Sequence, residues 1–257
     1  AGARPRTVRV SDGNDGQGTV TILGPAPSER TAARVLAGIE HVLRLDADLS
    51  GFCELAQGDP DLAWVTSGAG RMVRSPTVFE EVIKTICTTN CAWSATKRMV
   101  GALVEHLGAP ARGAPSDGPY GRAFPTPAAM AEASEGFYRG VVRAGYRGPH
   151  LRSVARSVTD GGLDLEILGR ASPQDLPDAE LERRLLALPG VGPYAAAHVM
   201  LTLGRYSRLI LDSWTRPAYA RYVGRKAVSD AAITRRFKRY GPYAGLAFWL
   251  ILTRDWV

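Results

Sequence analysis

Cysteine is scarce in this chain of 257 residues, and three of them, Cys53, Cys87 and Cys91, cannot form a complete disulfide framework. No stretch approaches the roughly 18 apolar residues that a membrane span needs, and no signal peptide is recognisable at the start. These absences predict an intracellular protein that has no membrane partner. Cys87 and Cys91 lie one helical turn apart, which suits two buried thiols better than a metal site.

Acidic residues are scarce from Asp212 onward. The last 46 residues carry nine basic and three acidic side chains, and therefore account for most of the net charge of +7. A basic segment of this kind suits a polyanion, and nucleic acid is the first candidate. A solvated face of an arginine-rich helical protein has the same composition, so the charge alone does not separate the two interpretations.

The spacing of apolar residues predicts a mostly helical fold. Two short alternating runs around a Gly/Asp loop indicate a β-rich segment in residues 1–26. Beyond it, apolar residues such as Val35, Ile39 and Val42 recur at helical spacing, and Pro- and Gly-rich stretches separate the helical runs.

The stretch LPGVGPYAAAHV, residues 188–199, breaks one apolar helix and restarts another at once. Gly190 and Gly192 permit backbone angles that a side chain would forbid, and Pro193 suits the first turn of a helix. The bare amides of the second helix would then point outward and bind a phosphate. Gly-Pro turns also join many helix pairs that bind nothing.

This hairpin, with Asp212 placed 20 positions after Gly192, resembles the helix-hairpin-helix DNA glycosylases related to endonuclease III. The segments SPTVFEEVIKTICTTNCAW, AFPTPAAMAEA and GPYAGLAFW are similar to further parts of that family, closest to its 3-methyladenine and 8-oxoguanine branches. The resemblance covers roughly residues 60–257. It implies two helical subdomains that flank a DNA-binding cleft. One would comprise residues 27–75 with 199–257, and the other the central residues 76–198, ending in the helix-hairpin-helix at about 179–203.

The resemblance assigns catalysis to Asp212. Cleavage of an N-glycosidic bond builds positive charge on the sugar, and one carboxylate stabilises that charge or orients water. An aspartate at this position is also explained as a plain helix cap. The family implies double-stranded DNA with a damaged base as partner, and a monomeric enzyme.

Two departures from the family limit the chemistry. Members that also cut the DNA backbone carry a lysine two positions after the last hairpin glycine, where this chain has Tyr194. Without that amine we expect a monofunctional enzyme. The four-cysteine C-terminal cluster is also missing, so we expect no iron–sulfur cluster and no required cofactor. The lysines of the chain are Lys84, Lys97, Lys226 and Lys238.

The aromatic residues near the hairpin and the last helix indicate the substrate. The 8-oxoguanine branch reads its base with a glutamine and a phenylalanine, and Phe248 and Leu252 occupy those positions here. The 3-methyladenine branch has aromatics where this chain has Tyr194 and Trp249, which favours an alkylated purine. Two alternatives stay open. The enzyme could release another oxidised or mismatched base, or the chain could be a non-catalytic DNA-binding module. The predicted base pocket comprises Tyr194, Trp214, Phe248 and Trp249.

The resemblance also implies the DNA contacts. Tyr146 matches the aromatic that wedges the duplex, and Asn90 the asparagine that fills the gap left by the base. Backbone carbonyls of Leu186, Leu188 and Val191 would hold a structural K⁺ or Na⁺. The predicted DNA-binding residues are Asn90, Tyr146, Arg147, Gly190, Val191, Gly192 and Tyr194.

Overall fold

The structure is a computed structural model that describes residues 4–13, 17–114 and 121–256. Strands β1 (Val8–Asp12) and β2 (Gly18–Ile22) form an antiparallel pair, in which Val10 faces Val20. The rest is dominated by helices, so the predicted mostly helical fold with a short β-rich start is confirmed. In the described residues no helix has the length and apolar character that crossing a membrane requires.

The helices are short and separated by turns. Short 3₁₀ segments cover Ala63–Ser67, Lys238–Tyr243 and Arg254–Trp256, and one π-helical turn covers Phe137–Val141. The α-helices are α1 (Glu29–Leu43), α2 (Ser50–Gln57), α3 (Val78–Thr88), α4 (Trp93–Leu107), α5 (Pro127–Glu132), α6 (Arg147–Thr159), α7 (Glu166–Arg170), α8 (Asp178–Leu186), α9 (Pro193–Thr202), α10 (Thr215–Tyr222), α11 (Asp230–Phe237) and α12 (Ala244–Thr253).

Contacts between Cα atoms divide the chain into two compact units. The first comprises Ala1–Val42 and Val82–Leu165, and the second comprises Leu43–Glu81 and Glu166–Val257. These limits differ from the predicted ones, because the hairpin belongs with the C-terminal helices. Ala197 and Leu201 of α9 share one hydrophobic core with Leu246 of α12, and that shared core joins α9 to α12.

The core of the second unit forms around α12, whose sequence AGLAFWLILT is almost wholly apolar. Gly245 allows a close approach, since a Cβ there would lie 2.0 Å from the carbonyl oxygen of Arg208. Its amide donates to the carbonyl of Tyr206 over 2.6 Å. The last helix is thereby held against the segment that leads to Asp212.

The first unit has its own core. Ile83 and Ile86 of α3, Leu103 of α4 and Leu151 of α6 are completely buried. Tyr138 donates its hydroxyl proton to the carbonyl of Met130 over 2.6 Å. These contacts hold the ends of α3 and the start of α6, where the predicted DNA-wedging residues lie.

Candidate active site and nucleic-acid interface

The hairpin joins the end of α8 at Leu186 to the start of α9 at Pro193. Gly190 has φ +80°, a left-handed conformation that requires glycine. Gly192 does not: its φ of −102° and ψ of −176° are open to any residue, so the predicted need for unusual angles there was wrong. A Cβ at Gly192 would meet no atom within 4 Å. Because Gly192 is exposed, it instead leaves room for the backbone of a bound molecule to come close.

The hairpin turn presents backbone amides at the start of α9. The amide of Val191 donates to the carbonyl of Leu188 over 3.1 Å, and both side chains are buried. Gly192 is the N-cap, so no side chain caps the first turn of α9. The uncapped helix end carries the positive end of the helix dipole, which suits a phosphate.

Asp212 has two features that the predicted site requires: one carboxylate oxygen is fixed by hydrogen bonds, and the other is available. Its Oδ1 accepts the amides of Trp214 (2.8 Å) and Thr215 (2.6 Å), and its own amide donates to Thr215 Oγ1 over 2.8 Å. The carboxylate therefore caps α10, and this cap fixes its orientation. In the described part of the chain Oδ2 takes part in no hydrogen bond of the structure, and the residue is only half-buried. One oxygen is structural and the other is available.

Three of the four predicted pocket residues belong to one group of rings, which we call the aromatic cluster. It consists of Tyr194, His198, Trp214, Trp249 and Trp256. His198 lies between Tyr194 and Trp249, with ring centroids 6.0 and 6.4 Å apart. Trp249 lies 6.0 Å from Trp214, which lies 5.0 Å from the exposed Trp256. Trp214 is the second residue after Asp212, so the aromatic cluster is close to the Asp212 carboxylate in the sequence.

Phe248, the fourth predicted pocket residue, is a core residue, and that prediction was wrong. It is completely buried and lies 5.0 Å from Phe237 in an edge-to-face arrangement, and 6.0 Å from Tyr219. Neighbouring residues of a helix point about 100° apart, so Trp249 joins the aromatic cluster while Phe248 enters the core.

His198 was missed by the sequence analysis. It follows Tyr194 by four residues on α9, a spacing that places both rings on one face of the helix. Its Nδ1 is shielded from solvent and has no hydrogen-bond partner among the described residues. Burial lowers the pKa of His198, against the opposing effect of the Glu81 and Asp212 carboxylates. The i, i+4 spacing from Tyr194 is the signal in the sequence that could have found it.

The first unit brings together Asn90 and Tyr146, the two residues predicted to enter the duplex. Asn90 adopts φ +46°, and its Nδ2 donates to the Tyr146 hydroxyl over 3.0 Å. Tyr146 is 54% exposed, which a residue that wedges bases requires. The hydroxyls of Tyr146 and Thr89 lie 3.2 Å apart.

Arg147 is placed differently from the prediction. It is buried, and its guanidinium donates to the carbonyl of Thr89 and to that of Ala144. The same guanidinium lies 4.5 Å from the centre of the Tyr146 ring. A guanidinium so engaged orients Tyr146 and is not exposed for a phosphate.

Ion pairs neutralise part of the C-terminal basic segment. Arg216 pairs with Asp230 at 2.8 Å, and Arg239 pairs with Asp59 at 2.7 Å. Arg235 and Lys238, by contrast, are exposed and line an open surface groove. The other residues that line it are Ser207, Arg208, Leu209, Ala231, Thr234, Gly241 and Ala244.

The carbonyls predicted to hold a cation surround the hairpin turn. That of Leu188 accepts the Val191 amide, whereas those of Leu186 and Val191 accept none of the described backbone bonds of this turn. Carbonyl oxygens with free lone pairs are suitable ligands for a hard cation.

No family model and no curated protein matches this sequence. Solved structures do match. An 8-oxoguanine glycosylase/lyase of Clostridium acetobutylicum, in complex with double-stranded DNA that has cytosine opposite 8-oxoG, is 22% identical with a TM-score of 0.70, over 96% of this chain and 88% of that one. The 3-methyladenine DNA glycosylase of Archaeoglobus fulgidus is 19% identical with a TM-score of 0.69, over 98% and 86%. A DNA-3-methyladenine glycosidase of Bacillus halodurans is 18% identical with a TM-score of 0.54, over 77% and 90%.

Proposed function

We propose that this chain, which has the fold of the helix-hairpin-helix DNA glycosylases, is a monofunctional DNA glycosylase that releases an alkylated purine. The observation that carries the proposal is the arrangement at Asp212. A carboxylate is oriented by two amide hydrogen bonds to Oδ1, keeps Oδ2 available, and is followed two residues later by a ring of the aromatic cluster. A non-catalytic DNA-binding module would need the hairpin but neither of these features.

The carboxylate of Asp212 would act on the sugar. As the bond between C1′ and the base breaks, its electron pair leaves with the base and positive charge builds on the sugar. Oδ2 stabilises that charge, and a water oxygen then bonds to C1′ and gives one proton to Oδ2, which later passes it to solvent. Because the amides of Trp214 and Thr215 hold Oδ1, the carboxylate does not have to reorganise during the reaction.

The aromatic cluster supports the choice of substrate. Tyr194, Trp214 and Trp249 offer electron-rich faces, on which an electron-poor alkylated base such as 3-methyladenine stacks well. With Phe248 in the core, no residue of the cluster matches the amide with which the 8-oxoguanine branch reads its base.

The hairpin and the residues of α3 and α6 would hold the DNA. The exposed Gly192 and the uncapped start of α9 would bind a phosphate, and a K⁺ or Na⁺ on the carbonyls of Leu186, Leu188 and Val191 would add positive charge there. Tyr146, with Asn90 bonded to it, would fill the space of the flipped base. We expect a monomer to carry out these steps.

A panel of duplexes, each with one damaged base, tests the proposal. The panel contains 7-methylguanine, hypoxanthine, 8-oxoguanine and a mismatched base, and the abasic product is revealed by an AP endonuclease, because hot alkali also breaks DNA at unreleased 7-methylguanine. We expect cleavage of the alkylated duplex. Release of 8-oxoguanine alone would show that the substrate is an oxidised base and not an alkylated purine. Binding without base release from any duplex would favour the non-catalytic DNA-binding module.

Strand breaks and covalent trapping test the monofunctional mechanism. With Tyr194 where an attacking lysine would stand, we expect DNA breaks only after hot alkali, and no covalent complex on treatment with borohydride. Denaturing gels of the DNA and of the protein measure both. A bifunctional glycosylase/lyase on the same lesion serves as the positive control, and a trapped adduct of this chain would contradict the assignment.

Charge reversal tests the basic groove. We expect Arg235→Glu with Lys238→Glu to weaken binding of damaged and undamaged duplex equally, and to flatten the dependence of affinity on salt, because fewer counterions are released. Arg30→Glu with Arg34→Glu, on the exposed surface of α1, makes the same change in net charge. Equal loss of affinity in both double variants would show that only net charge matters.

A further inference from the structure

Trp93, the first residue of α4, is 67% exposed, the highest value among the large apolar residues that the structure describes. The buried residues of the same helix, Thr96, Met99 and Leu103, face the core of the first unit, to which the indole contributes nothing. Covering a ring of this size would gain free energy. Single exposed apolar residues are ordinary on protein surfaces, so the neighbours of Trp93 decide what it does.

The turn between α3 and α4 holds Trp93 close to Asn90. Thr96 Oγ1 donates to the carbonyl of Cys87 over 3.1 Å, and the Cys91 thiol donates to the same carbonyl over 3.2 Å. These two bonds fix the turn in which Asn90 lies. Three residues span at most about 11 Å of chain. Trp93 therefore lies within about three base steps, of about 3.4 Å each, of a residue proposed to enter the duplex.

The charged side chains that follow Trp93 on α4 are positive. Lys97 comes one helical turn later and Arg98 is next to it, and both are exposed. Neither forms an ion pair with a described residue. Between Glu81 and Glu105 the chain has no acidic residue. An exposed ring beside unpaired cations is typical of a surface that binds a nucleic-acid strand, since the cations contact phosphates while the ring stacks on a base.

We propose that Trp93 stacks on the base that the flipped nucleotide leaves without a partner, while Lys97 and Arg98 contact the phosphates of that opposite strand. This inference rests on the duplex opening in the proposed function. A paired base is stacked on both faces and offers neither to an indole. Flipping the damaged base frees its partner, and the proposed place of Tyr146 is the space on the damaged strand. Stacking reads no hydrogen-bond pattern, so the contact accepts any of the four bases.

A duplex with a tetrahydrofuran abasic analogue in place of the lesion tests the inference without requiring base release. The base opposite the analogue is 2-aminopurine, whose fluorescence falls when its ring is stacked. At saturation we expect the wild type and Trp93→Phe to quench it, and Trp93→Ala to leave it bright. With each of the four normal bases opposite the analogue, Trp93→Ala should lose about 5–150-fold in affinity, and its affinity for undamaged duplex should not change.

Two matched controls accompany these variants. Leu36→Ala removes exposed apolar surface from α1, and we expect the affinity and quenching of the wild type. Lys97→Gln with Arg98→Gln should lower the slope of log affinity against log salt by about two, one for each lost phosphate contact, and keep the quenching at saturation. Arg30→Gln with Arg34→Gln makes the same change in net charge on the exposed surface of α1, and its slope should fall less.

The outcomes separate the inference from the function on which it rests. A wild type that releases a base from the lesion panel, with 2-aminopurine equally quenched by Trp93→Ala or quenched by neither protein, overturns the inference alone. A loss of affinity that is confined to one opposite base, or that is equal on undamaged duplex, also overturns it. A wild type that quenches 2-aminopurine through Trp93 but releases no base from any duplex overturns the proposed glycosylase and leaves the contact. A wild type that binds no duplex overturns both.

Discussion

Asp212→Asn should lower the rate of base release by at least about 10²–10³-fold, the scale of losing one preorganised electrostatic contact, or roughly 3–4 kcal/mol. The asparagine Oδ1 can still accept the amides of Trp214 and Thr215, so the cap of α10 survives. What is lost is the negative charge on the second oxygen. Affinity for lesion duplex should stay the same or rise, because a negative charge near phosphates is gone. Single-turnover kinetics and a binding titration on one duplex measure both.

Asp48→Asn is the matched control for this variant. Its Oδ1 accepts the amide of Ser50 over 2.9 Å at the start of α2, so it has the same kind of local role and undergoes the same change. We expect wild-type base release from it. A folded Asp212→Asn protein with near wild-type activity would mean that Asp212 is only a helix cap.

Substitutions at two adjacent residues of α12 should have different effects, one mainly on stability and the other mainly on base release. Phe248→Ala should lower the free energy of unfolding by about 3–5 kcal/mol, because a completely buried ring leaves a cavity against Phe237 and Tyr219. Trp249→Ala should keep most of the stability but slow base release by about 5–150-fold, the equivalent of one base–aromatic stack of roughly 1–3 kcal/mol. Denaturant unfolding and single-turnover kinetics on both variants separate the two effects.

Phe248→Leu serves as the control for Phe248→Ala, since it keeps much of the buried volume and should cost well under the alanine variant. Loss of activity in stable Phe248→Leu, with normal activity in Trp249→Ala, would reverse the assignment of these two residues.

The hairpin and the position of Asp212 just ahead of α10 could be predicted from the sequence because their signals are local. Gly-Pro punctuation marks the break between helices, and 20 residues separate Gly192 from Asp212 whatever the tertiary packing. The requirement for Gly190 is likewise a property of one backbone torsion, and it holds at φ +80°. Gly192 shows the limit of such reasoning, because its torsions depend on how α9 begins.

The side chains that the sequence misplaced depend on packing over long sequence distances. Which of Phe248 and Trp249 enters the core is decided by the position of Phe237 and Tyr219 around α12. Arg147 is buried because the carbonyl of Thr89, 58 residues earlier, accepts its guanidinium. The sequence marks His198 only by its i, i+4 spacing from Tyr194, and its place in the aromatic cluster appears only when α12 brings Trp249 near it.

The most direct test of the central claim is to identify the product released from a duplex that contains a single 7-methylguanine. The wild-type protein is mixed in excess with the duplex, and the solution is analysed for free base by mass spectrometry while the strand is analysed on a denaturing gel. We predict stoichiometric free 7-methylguanine and an intact strand that an AP endonuclease then cuts at the abasic site. Tight, salt-sensitive binding of the duplex with no free base, from this or any other lesion of the panel, would contradict the account.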